Sequence, residues 1–94
     1  MMTKVERLKS GNKMVILKSL DTVMIEVPTS KLIEFTNLVN ECCGVMEHDE
    51  VGTWLTTPNS NFNMDKPIDF FWEDGRDKVY RILYFIDIGE ADLY

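Results

Sequence analysis

Hydrophobic positions recur along the chain with two different periods. Met14 to Leu17 and Thr22 to Val27 are short runs rich in β-branched residues, separated by Lys18-Ser19-Leu20-Asp21, and this arrangement predicts a β-hairpin. Apolar runs of this length also fit a helix, and their period alone leaves that alternative open. Beyond Ser30 the spacing changes. Leu32, Phe35, Leu38, Val39 and Cys42 return at helical intervals, with Glu34, Asn37 and Glu41 left to face water. Pro28-Thr29-Ser30 predicts the start of that helix, with Thr29 or Ser30 as its N-cap, and Gly44 predicts its end.

A second, shorter helix carries Val51, Trp54 and Leu55. The acids of Glu47-His48-Asp49-Glu50 stand before it, where the helix dipole favours negative charge. Pro58 fixes its own φ and disfavours helix at Thr57, so this helix must stop there. Pro67 then suits the first position of a third helix through Trp72, broken by Glu73-Asp74-Gly75. Asp77 leads a fourth, in which Val79, Ile82, Leu83 and Ile86 form an i, i+3, i+4, i+7 stripe widened by Tyr80, Tyr84 and Phe85. A face this broad either completes the core or serves a partner. Gly89 closes the helix and leaves Glu90 to Tyr94 as a tail.

Trp54, Phe62, Phe70, Phe71 and Trp72 crowd one stretch of sequence, which predicts an aromatic core corner. Residues 1 to 13 are expected to hold a helical turn around Val5 and Leu8, cut by Ser10-Gly11-Asn12. The expected fold is mainly α: a small bundle of about four helices with a short N-terminal β-hairpin. Residues 1–29 form a partly flexible N-terminal segment and residues 30–94 a helical domain.

Ninety-four residues suffice for one small domain, and a hydrophobic share of 45% argues against disorder. The net charge of −6 is unevenly spread. Residues 1–31 are basic by +3, whereas residues 32–94 carry −9. The second part repels phosphate backbones, so nucleic acid is not the expected partner and a basic protein surface suits it better; acidity that only keeps the domain soluble is the plainer reading. No apolar run approaches the length of a membrane span, and Met1-Met2-Thr3-Lys4 leads into charged residues rather than a signal sequence, so a cytoplasmic protein is expected. Cys42 and Cys43 are adjacent and point in directions that do not bridge easily, which predicts free thiols.

Motifs for chemistry are missing from the chain. It has no phosphate-binding glycine loop, no paired histidine ligands and no serine or cysteine beside a histidine base, so no catalytic residue, metal or cofactor is expected. The alternative is a metal or catalytic site on Glu47, His48 and Asp49, against which stands the ordinary role of acids at a helix start.

Trp54-Leu55, Thr57-Pro58-Asn59, Phe62, Pro67-Ile68-Asp69-Phe70-Phe71, Gly75, Val79, Leu83, Ile86 and Gly89 together resemble the C-terminal toxin-binding domain of MbcA/ParS/Xre-type antitoxins. The resemblance covers residues 50 to 89 closely and the preceding helix more loosely. It implies a helical, non-enzymatic module that binds a toxin, often a RES-domain enzyme that consumes NAD, and covers its active-site cleft with the end of the antitoxin chain. Carried over by position, Trp54, Leu55, Pro58, Asn59, Phe62, Pro67 and Phe71 are the structural motif. Gly89 marks the helix exit and Glu90 to Tyr94, including Leu93, would be the blocking tail, with Tyr80, Tyr84 and Phe85 as docking anchors. A competing account makes Leu93 and Tyr94 a clasp that locks the fold.

This sequence departs from the family at three places. Asn63 and Met64 stand where the family has two glycines, so the turn there is expected to differ, although Asn tolerates left-handed geometry. Phe85 replaces an arginine. The first thirty residues are short for the family's helix-turn-helix, so DNA binding does not carry over. Two other readings stay open: an interaction domain without a toxin, working as a homodimer, and a DNA-binding regulator using the basic first thirty-one residues.

Overall fold

The computed structural model describes residues 12–17 and 23–94, and is mainly helical with one antiparallel hairpin. Strands β1 (Asn12–Leu17) and β2 (Val23–Pro28) pair with Val15 opposite Ile25 and Leu17 opposite Val23. Alternation decides which face of β2 is buried: Ile25 and Val27 enter the core while Met24 and Glu26 stay outside. The expected turn around Val5 and Leu8 lies outside the described residues.

Four α-helical segments follow: α1 (Leu32–Cys43), α2 (Val51–Thr56), α3 (Pro67–Phe70) and α4 (Arg76–Asp87). Of these α3 is a single turn, so the described residues hold three helices rather than about four. Pro67 opens α3 and helical backbone geometry runs on through Trp72, as expected, although the regular α-helical hydrogen bonding ends at Phe70 and widens over Phe71–Gly75. There Glu73 leaves helical geometry and Asp74 goes left-handed at φ 66°. The start of α1 also differs from expectation. Thr29–Lys31 form a 3-10 turn and Lys31 occupies the cap position, with no side-chain cap bond from Thr29 or Ser30. Glu34 is half-buried and bridges to Arg76 at 3.3 Å, tying α1 to the start of α4.

The core is continuous from hairpin to last helix. Ile25 and Val27 meet Phe35, Leu38 and Cys42 of α1, Val51, Trp54 and Leu55 of α2, then Phe62, Ile68, Phe71, Val79 and Leu83. Gly52 shows how closely α2 lies on the hairpin: a Cβ there would stand 3.1 Å from the Cβ atoms of Leu17 and Val23, so a larger residue would push the layers apart. Phe62 meets Trp54 edge-on at 6.1 Å between centroids and Phe70 at 5.3 Å, which forms the expected aromatic corner.

Candidate partner-binding surface

The corner forms because α2 ends on schedule. Thr57 is extended (φ −108°, ψ 132°), as a residue before proline must be. The hydroxyls of Thr56 and Thr57 donate back to the carbonyls of Gly52 and Thr53 at 2.8 and 2.6 Å, satisfying acceptors that the stopped helix leaves open. Asn59 is then fully buried, and its side-chain oxygen accepts from Asn61 N–H at 2.9 Å. Its Nδ2 donates to the Leu93 carbonyl at 2.9 Å. Trp54 Nε1 donates to that same oxygen at 2.8 Å, and Asn61 Nδ2 reaches the Asp92 carbonyl at 2.9 Å.

Two of the motif residues therefore hold the last segment of the chain through its backbone. Gly89 aims the segment. At φ 81° it sits at the end of α4 while Gly89 N–H bonds Ile86 O and Glu90 N–H bonds Phe85 O, the paired bonds of a Schellman cap. Leu93 is half-buried against the core, whereas Glu90, Asp92 and Tyr94 are exposed.

Tyr94 borders a depression of about 370 Å³ shared with Glu47, Asp49, Glu50 and Thr53. Partial burial, and then the charge of Glu50, raises its hydroxyl pKa above the usual phenol value. The acids at the start of α2 thus face the tail, and none of the described His, Cys, Asp and Glu side chains gather into a metal-binding group. Cys42 and Cys43 are free thiols. Cys42 is buried in the core, and its burial, followed by Cys43 and Glu41, pushes its pKa up to about 12, so it stays a protonated, inert thiol.

The three aromatic candidates on α4 occupy different settings. Tyr80 is half-buried, edge-on to Phe71 at 5.9 Å, and is a packing residue with its pKa raised chiefly by burial. Phe85 is half-buried and lies 5.8 Å from Tyr84. Tyr84 is 58% exposed. Ile88, one turn further along, is 48% exposed and extends the strip that Tyr84 begins, a continuation legible from the i, i+4 spacing but not singled out from sequence.

Met64, singled out from sequence only for its place in a turn, is 61% exposed. Asn63 and Met64 have φ of 56° and 68°, and Asp65 N–H closes onto Phe62 O at 3.0 Å. Both central residues are left-handed, as in a type I′ turn. The backbone takes a conformation that a glycine pair would adopt freely, carried here by Asn and Met. No family model matches this chain, and neither curated proteins nor solved structures yield a match to it.

Proposed function

We propose that the chain is a non-enzymatic, antitoxin-type binding module that neutralises a RES-type, NAD-consuming toxin by covering its active-site cleft. The carrying observation is the hold of Trp54 and Asn59, two residues of the antitoxin-like motif, on the Leu93 carbonyl. A segment fixed through its backbone keeps its outward side chains free, and a pre-organised segment loses little entropy on docking. Exposed Glu90 and Asp92, with Glu47, Asp49 and Glu50 nearby in the fold, give the surface a negative sign suited to a basic nucleotide-binding cleft. Tyr84 and Ile88 supply apolar area beside the exit of α4.

In this reading the segment is both clasp and plug: its carbonyls face inward and the side chains of Asp92 and Tyr94 face outward. The test is co-expression with the RES-domain enzyme of a neighbouring gene, followed by size-exclusion chromatography and an assay of NAD consumption. A stable complex with suppressed consumption is the expected result. Undiminished consumption without co-elution would overturn the reading, and self-association of the chain through α4 would then favour a homodimeric interaction domain.

A further inference from the structure

Met64 breaks two local rules at one residue. Its backbone is tied at both sides, by its own N–H to Asn59 O at 2.9 Å and by the closing bond from Asp65 N–H to Phe62 O, so the φ of 68° cannot relax. An L side chain in this region crowds its own backbone, and the second central position of a type I′ turn is the one that takes glycine. The side chain is also large, apolar and 61% exposed, and it is not among the hydrophobic residues packed against the core. Conformation, solvent and internal packing all disfavour methionine here, and glycine would keep the same backbone. A strained position that nothing within the fold compensates points to a function outside it.

We infer that Met64 is a contact residue whose side chain enters an apolar socket, rimmed by basic groups, on the partner protein; this rests on the antitoxin-type reading above. The turn is continuous with the surface of the last segment. Asn61, on the same loop, bonds the Asp92 carbonyl, which brings this loop against the last segment. Charge selects the rim: exposed Asp65 adjoins Met64, and exposed Asp92 is bonded through its carbonyl to Asn61 of the same loop, with Lys66 the one exposed cation beside them in sequence. An unbranched thioether suits such a socket, because it adapts its shape and is polarizable.

The test compares Met64→Gly and Met64→Leu in the full chain, with the neighbouring RES-domain enzyme as the probe. Met64→Gly should raise Tm by about 4–8 °C as the turn relaxes, while weakening the complex about 10-fold. Met64→Leu keeps apolar bulk and strain, and should retain both the parent Tm and affinity to within about 3-fold. Wild-type affinity should fall with added salt. Equal binding by Met64→Gly and wild type would overturn the inference while leaving the functional reading intact. An unchanged or lowered Tm for Met64→Gly would remove the strain on which it stands and overturn it too. An affinity indifferent to salt overturns the basic rim. Failure of the wild-type chain to bind the enzyme overturns the functional reading, and the inference with it.

Discussion

The Trp54 corner and the outer strip of α4 are both aromatic, yet they resolve opposite problems. At the corner, indole and amide donors from Trp54 and Asn59 converge on one carbonyl 39 and 34 residues along the chain, respectively, and no buried side-chain nitrogen or oxygen among the described residues lacks a partner. On the strip, Tyr84 and Ile88 stay largely in water with neither core nor polar partner to occupy their apolar surface. The difference teaches that aromatic content alone does not locate a function. What matters is whether the fold has already satisfied the side chain.

Breaking the corner should have the largest effect. Trp54→Ala removes a fully buried ring that touches Phe62, and should destabilise the domain by about 3–5 kcal/mol in a denaturant titration. Trp54→Phe keeps most of the ring and loses the N–H bond to Leu93, with an expected loss of about 1 kcal/mol. A midpoint unchanged by Trp54→Ala would contradict the packing described here.

Truncation after Gly89 should have the next largest effect, and it shows that the segment is not a free tail. Without the Leu93 carbonyl, Trp54 Nε1 and Asn59 Nδ2 lose their acceptor, at a cost of about 2–4 kcal/mol for two interior donors. Truncation therefore confounds clasp with plug. Tyr94→Ala separates them: it preserves every backbone bond of the segment, and its stability should stay within about 0.5 kcal/mol of the parent. Parent-like stability of the truncated chain would leave the clasp without energetic weight.

How much of this was legible in the sequence depends on which atoms carry the structure. Pro58, Pro67 and Gly89 act through their own backbone constraints, so the end of α2, the start of α3 and the exit of α4 followed directly. The β-branched run from Thr22 to Val27 likewise pointed to β2, although its period alone left a helix open. A clasp at Leu93 and Tyr94 was legible only as one of two accounts, and its hydrogen bonds not at all, because its acceptors are main-chain carbonyls that any residue at positions 92 and 93 would supply; only the donors Trp54, Asn59 and Asn61 have identities. The left-handed geometry of Met64 was not legible for the reverse reason, since it is set by surrounding backbone hydrogen bonds and not by the identity of the side chain. The break that divides α3 from α4 was legible too, since Glu73 and Asp74, ahead of Gly75, leave helical geometry where the sequence placed the stop.

The smallest stability effect, and the one that sharpens the contrast most, belongs to Tyr84→Ala. The ring is mostly exposed and its one aromatic neighbour, Phe85, is itself only half-buried, so little core contact is lost. Alanine also favours helix by a few tenths of a kcal/mol over tyrosine, which offsets part of that loss. Stability should therefore move by no more than about 0.5 kcal/mol. Association with the RES-domain enzyme should nonetheless weaken about 10-fold, because an exposed aromatic beside the presented segment fits the profile of an interface anchor. Tyr80→Ala serves as the opposite control: its ring packs on Phe71, so it should lower stability first and binding only in step with that loss. If Tyr84→Ala instead destabilised the domain by more than about 1 kcal/mol with binding scaled to the folded fraction, the strip would belong to the core after all, and the contrast with the Trp54 corner would collapse.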